Sequence, residues 1–374
     1  MVYSDPQVFG ELTLVFSAAE SSGPDGYYGL AGVIELDVTA LNGIYTWVKE
    51  TNPGSGILAE PVSWETSKDS WRPTPPAGYR PLSDASHGNS SANDIADLDW
   101  HLFRCVRNDY TAEGRLDGEY GQDVLMPLEI PDGTGALIIP GTAYYDNDFA
   151  RPPGAYVLNV PVSSVKGDDL RPPVLTDYDN VPEYVNEVSD HTVTLPCGAL
   201  NDTGKTADWI VQNSPVYTVQ RRRAYQLVKA LNLREFEQGG EISETVGWGV
   251  TTGESETFSK TVGIKVGFEI GAEFEGFGGK LSGEISTELG YERTHSVEEM
   301  KEESSEVKVE AAAKHTTALY AEHHSIVAHR ADGSEVSDRN GLDFNANGSY
   351  VAVQYPHPEI TPTSTNTPTA ATRA

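Results

Sequence analysis

Cysteine is almost absent. The 374 residues include two, Cys105 and Cys197, too few for a disulfide scaffold. Two buried thiols are the expected arrangement and a single bridge is the alternative. Long apolar runs are also missing, and no stretch approaches the ~18 uncharged apolar residues of a spanning helix. Basic residues are scarce: 26 Lys+Arg stand against 56 Asp+Glu, a formal net charge of -30. That balance argues against nucleic acid as a partner, since binding phosphates needs clustered cations. It also argues against simple electrostatic docking on an anionic membrane, and it favours a soluble, self-repelling monomer. Catalytic signatures are missing as well: there is no G-x-S-x-G, P-loop, H-E-x-x-H or Cys-His pattern. No catalytic residue, cofactor or metal is expected. Carboxylates are so abundant that a glycosidase-like pair would arise by coincidence, which leaves a glycan-active enzyme as the third reading. The opening MVYSDPQVFGELTLVF carries Asp5 and Glu11 and no basic start, so it does not read as a secretory signal. A removed signal, another route of export and retention in the cell all fit.

Helix signals are few, and strand signals recur throughout. Eighteen tyrosines, 23 prolines and many Gly, Asn and Asp punctuate short apolar runs, which reads as an all-β chain. Turns are expected at GPDGYYG, PDGTG, YYDND and RPPG. The stretch GDDLRPPVLTDYDNVPEYVNEVSD, residues 167–190, is acidic, Pro-rich and without periodicity, as a linker would be. The expected organisation is an elongated two-domain all-β protein: 1–187, then 188–356, then a Thr/Pro tail over 357–374 with no capacity for a core. Segment 297–322 is locally ambiguous, since Glu, Lys and Ala favour helix. Val307 and Val309 alternate with charges, as do Thr316, Ala318 and Tyr320, and these assign it to strand.

The strongest pattern lies in residues 262–292. Val262, Ile264, Val266, Phe268, Ile270, Ala272 and Phe274 occupy every second position, with Lys265, Glu269, Glu273 and glycines between them. Strand side chains alternate faces, so one face is apolar and the other polar. After the turn EGFGGK the phase resumes in Leu281, Ile285, Leu289 and Tyr291, with Glu284, Glu288 and Glu292 opposite. Pairing Phe274 with Leu281, Ile270 with Ile285 and Val266 with Leu289 puts every apolar residue on one side, and a slip of one residue would split them. A half-buried hairpin in a soluble sandwich would alternate in the same way. Three features favour a membrane hairpin. The first arm is longer than a typical strand of about 5 to 6 residues, and it reaches the roughly 9 to 11 residues that cross hydrocarbon. The polar face is small and wet, and Phe277 sits among glycines at the tip.

A lone hairpin cannot stay in lipid, because its edges expose unpaired N–H and C=O groups. A closed barrel therefore requires a ring of identical chains, each donating two strands. In that arrangement Lys265, Glu269, Glu273, Glu284, Glu288 and Glu292 line the lumen and cation selectivity is expected. Val262, Ile264, Val266, Phe268, Ile270, Phe274, Phe277, Leu281, Ile285, Leu289 and Tyr291 form the membrane-facing set. Stacked glutamates repel, so insertion should be easier at mildly acidic pH.

With this hairpin between long Ser/Thr/Glu-rich strands (ISETVGWGVTTGESETFSK before, EVKVEAAAKHTTALYAEHHSIVAH after), the second half resembles the aerolysin-type β-pore-forming family over roughly residues 190–356. The resemblance implies a protein released soluble that binds a receptor on a target membrane, forms a homo-oligomer and inserts hairpins. The receptor class, whether glycan, lipid or protein, is open. The first half resembles the plant and fungal vacuolar-protein-sorting-associated domain family through SWRPTPPAGYRPLSD and FRCVRNDY. By analogy with how toxins are built, this half is assigned target binding. Read from residues alone, Pro73, Pro75 and Pro76 fix a bend, Trp71 and Tyr79 are core aromatics and Cys105 is a buried thiol. The alternative function is a non-perforating structural or storage protein, or a lectin-like binding module.

Three further groups have plain explanations. Arg221, Arg222 and Arg223 form the only basic cluster, either an anion or receptor patch or a strand offset by nearby glutamates. His323 and His324 are adjacent, so on a strand they face opposite ways and cannot chelate together. Asp146, Asn147 and Asp148, like Asp94, Asp97 and Asp99, fit turns better than a calcium loop.

Overall fold

The computed structural model describes residues 2–18, 23–30, 44–66, 70–82, 85–86, 103–117, 124–127, 136–138, 155–162, 164–200, 202, 204–248, 262, 303–336, 341–344 and 350–357. The protein is all-β, built from antiparallel sheets.

The first half is a set of short strands: β1 (Gln7–Phe9), β2 (Leu12–Ser17), β3 (Tyr28–Gly29), β4 (Tyr45–Glu50), β5 (Leu58–Ala59), β6 (Ser63–Thr66), β7 (Ser70–Thr74), β8 (Tyr79–Arg80), β9 (Ala85–Ser86), β10 (Cys105–Arg107), β11 (Thr111–Asp117), β12 (Val124–Pro127), β13 (Ala136–Ile138), β14 (Ala155–Val160) and β15 (Ser164–Lys166). They form sheets ordered β1-β2-β4-β3, β5-β10-β8, β6-β7-β9 and β12-β11-β14-β13. Strand β2, LTLVFS, is buried at all six positions. Leu12, Leu14 and Phe16 enter the main core, and Val15 on the other face packs with Tyr27 and Trp47.

Trp71 and Cys105 are buried as expected. Tyr79 is half-buried, and its hydroxyl donates to the Gly56 carbonyl at 2.5 Å. Pro73 does not bend the chain: it lies inside β7 opposite Trp64. Among the described residues β9 pairs only with Ser70 and Trp71, so no described neighbour there calls for an amide proton from Pro73.

The second half is built on long strands: β16 (Tyr184–Pro196), β17 (Val216–Asn232), β18 (Gly240–Trp248), β19 (Glu303–Ala311), β20 (Thr316–Arg330), β21 (Leu342–Phe344) and β22 (Tyr350–Tyr355). One sheet runs β15-β16-β17-β20-β21, with β22 on the same edge of β20 as β21. The 17 residues of β17 span about 55 Å at ~3.3 Å per residue. The ambiguous segment is strand wherever it is described, broken by a turn at Ala312–His315 in which Lys314 has φ 63°. A short helix, α1 (Ala207–Asn213), precedes β17. The Thr206 hydroxyl caps it by accepting from the Trp209 amide, and Ile210 and Val211 are buried beneath it.

The expected linker is strand from Tyr184 onward. A bulge between Val185 and Val188, with Asn186 at φ 57°, and another between Ser189 and His191 break the alternation that would have marked a strand. The main core is continuous across residue 187. Leu14, Phe16, Val106 and Leu158 share it with Val193, Val219, Ile326 and Val336. Residues 358–374 of the tail lie outside the described residues.

On the main-core face of the long sheet, apolar residues come in two blocks. Tyr217, Val219, Ile326 and Ala328 belong to the main core. Tyr225, Leu227, Ala318 and Tyr320 belong to a second cluster with Leu175 and Val185. Between the blocks, at Arg221, Arg223, Glu322 and His324, the same face is charged.

Candidate functional site

Strands β18 and β19 form a two-stranded ribbon in unbroken antiparallel register from Gly240↔Ala311 to Trp248↔Glu303. Their burial alternates. Ile242, Val246 and Val307 turn inward with half-buried Val309, while Glu241, Ser243, Thr245, Glu306, Lys308 and Glu310 face outward. The inward set packs on Leu319 and Ala321 of β20 and on Val228 and Leu231 of β17. This is the opposite face of β20 from the Ala318–Tyr320 cluster, so β20 is buried on both sides. Polar contacts on the ribbon are exposed or partly so: Ser243 Oγ donates to Glu306 at 2.8 Å, and Lys229 meets Glu244 at 3.0 Å. Such exposed pairs are worth about 0–1 kcal/mol each, so the thin apolar seam holds the ribbon down.

The ribbon is the root of the amphipathic segment. Trp248 and Glu303, which flank residues 249–302, are register partners, one strand spacing apart at roughly 4.5–5.5 Å. Val262, expected as the first membrane-facing strand position, is instead helical and wholly buried in the main core. Ile264, Val266, Phe268, Ile270, Phe274, Phe277, Leu281, Ile285, Leu289 and Tyr291 lie outside the described residues, as do Lys265, Glu269, Glu273, Glu284, Glu288 and Glu292. Asp94, Asp97, Asp99 and Asp146–Asp148 also lie outside them.

The arginine cluster is split by the strand's alternation. Arg221 and Arg223 point to the main-core face, where both meet Asp190, which is 2% exposed. Arg221 donates through Nε at 2.8 Å and Nη2 at 2.5 Å, and Arg223 Nε lies 2.7 Å away. Arg223 also reaches Glu322 at 3.0 Å, and Glu322 accepts from His324 at 3.0 Å. Arg222 points to the ribbon face and meets His329 and Glu335. Each guanidinium thus has a carboxylate, and the three form no shared patch. The β-bulge at Asp190 delivers its carboxylate between two arginines on one strand. Gly167 closes over that bulge, where a Cβ would sit 2.0 Å from the Ser189 carbonyl oxygen.

Burial disfavours the charged form of Asp190, but hydrogen bonds and charge from Arg221, with help from His191 and Arg223, hold it below the usual carboxylate range. Glu322 is lowered in the same way, with burial opposed by His324 and Arg223. Burial lowers His324 despite Glu322. Nearer the first half, Asp202 is engaged by Arg330 Nε at 2.6 Å and Nη2 at 2.8 Å, and by the Tyr217 hydroxyl at 3.1 Å.

Nothing in the sequence marked Asp190 or Asp202 as different from the other acids. The usable signal was indirect: a strand carrying three arginines into a sheet requires carboxylates on its neighbours. Cys105 and Cys197 are free and buried, and burial pushes the Cys105 thiol up to about 12. Among the described residues no three His, Cys, Asp or Glu converge on a metal-holding arrangement, and no helix is long and apolar enough to cross a membrane.

No family model and no curated protein matches the chain. Among solved structures, it is similar to the crystal structure of Cry35Ab1, with 18% identity, a TM-score of 0.34, and coverage of 68% of this chain and 72% of that one.

Proposed function

We propose that this chain perforates membranes: a soluble monomer that gathers on a target membrane and gives one hairpin per chain to a closed β-barrel. The observation carrying this reading is the ribbon. Its paired ends at Trp248 and Glu303 let residues 249–302 extend β18 and β19 as one continuous hairpin, and within them the alternation of residues 262–292 supplies a lipid face and a wet face. The ring is required because a single hairpin leaves open edges in hydrocarbon. The first half is assigned to target binding, and its receptor is the partner still to be identified. Glu269, Glu273, Glu284, Glu288 and Glu292, repeated around a ring against Lys265, make the channel negative and favour cations.

The test is dye release from vesicles of target-cell lipids, read together with a detergent-resistant ring on a gel. Leakage that rises steeply with protein concentration and appears with the ring is the expected result. Binding without leakage at any concentration overturns the reading and leaves the non-perforating binding module.

A further inference from the structure

On the ribbon face of the long sheet, His329 of β20 is 8% exposed, and its Nε2 lies 2.9 Å from Arg222 Nη2 of β17. A guanidinium has no acceptor and does not lose its proton in this range, so it donates and Nε2 accepts. The ring proton of neutral His329 is therefore on Nδ1, which is buried and meets no acceptor among the described residues. Any further proton must enter at Nε2, the nitrogen that faces Arg222. It would replace a hydrogen bond by two opposed donors and two like charges.

Among the described residues the charged groups facing this ring are Arg222 from β17 and Glu335 from the turn after β20. Glu335 Oε1 lies 3.7 Å from Nε2 and 3.5 Å from Arg222 Nη1. Arg330, next in the chain, points to the other face and is engaged by Asp202. His323, the next imidazole on the ribbon face, is 3.6 Å from Asp343. Thr218 of β17 is the register partner of His329 and carries no charge.

We propose that the His329–Arg222–Glu335 cluster is an acid-sensitive joint, intact when His329 is neutral and forced apart when it gains a proton. The joint ties β17 to β20 and to the turn at residues 331–336, whose last residue, Val336, is buried in the main core. Burial and Arg222 both lower the proton affinity of His329, with Glu335 opposing. Neutral in the fold and protonated in the unfolded chain below about 6.5, His329 contributes stability that is present above that pH and lost as pH falls through it. The bearing of the joint on leakage rests on the pore reading, whereas its bearing on stability does not.

The test compares wild type with His329→Gln, whose side-chain carbonyl can accept from Arg222 and cannot take up a proton. Thermal midpoints are recorded from pH 7.5 to 5. The wild-type midpoint should fall measurably further than that of His329→Gln, and curves that stay parallel overturn the proposal. If His329→Gln does not fold, histidine titration by NMR in the wild-type protein decides. A His329 midpoint below 6.5 that rises in Arg222→Gln is expected, and a midpoint at or above 6.5 refutes the joint. Absence of vesicle leakage alongside a clear pH difference between the two proteins would sink the pore reading and leave the joint standing.

Discussion

Asp202→Ala should lower the unfolding free energy by about 3–5 kcal/mol, read as an earlier midpoint in urea. The side chain of Asp202 has no exposed surface, and that of Arg330 is 8% exposed. Removing the carboxylate leaves a buried guanidinium with its charge uncompensated, and it also strips the Tyr217 hydroxyl of its acceptor. That penalty is larger than the net worth of the pair, because bringing both charges out of water was itself unfavourable. A double variant, Asp202→Leu with Arg330→Met, should therefore recover most of the loss. A single variant that unfolds within about 1 kcal/mol of wild type would show that water reaches this site and that the pair is ornamental to the fold.

Ile270→Arg should abolish vesicle leakage while Glu269→Gln preserves it. The two positions are neighbours in sequence and lie on opposite faces of the alternation. On the pore reading, an arginine at the lipid-facing position costs roughly 2–4 kcal/mol per subunit near the bilayer midplane, and a ring multiplies the cost by its subunit number. At matched folded concentration, leakage should drop at least a hundredfold. Glu269→Gln removes one lumen charge per subunit, so conductance should persist and reversal potentials in a salt gradient should show weaker cation preference. Equal leakage from both variants would break the face assignment. Anion selectivity in the wild-type channel would break the lumen assignment.

The sequence was most informative where a single rule governs a long stretch. Alternation at Val307 and Val309 and at Thr316, Ala318 and Tyr320 identified strands that the structure contains as β19 and β20, even though Glu, Lys and Ala favour helix. In β20 burial on both faces overrode that local preference, and in β19 the pairing with β18 and the apolar seam did. Legibility failed where one residue resets the pattern. The bulges at Asn186 and Asp190 disguise the start of β16 as a linker, and α1 is too short to show a helical period, although the Thr206 cap was present to be read. Arg221, Arg222 and Arg223 were visible as charge, yet their partners come from residues 31, 113 and 99 positions away in the chain. No local rule reaches that distance, so the pairing became evident only once β16, β17 and β20 were laid side by side.

Because one core takes side chains from both ends of the chain, from Leu14 to Ile326, the first half cannot swivel as a tethered cargo. Any ligand that grips the N-terminal sheets pulls directly on β16 and β17, with no slack to absorb the load. On the target-binding reading of the first half, recognition there and strain in the long sheet are then a single mechanical event. Cutting the chain at residue 187 would open that core and leave apolar surface on both pieces.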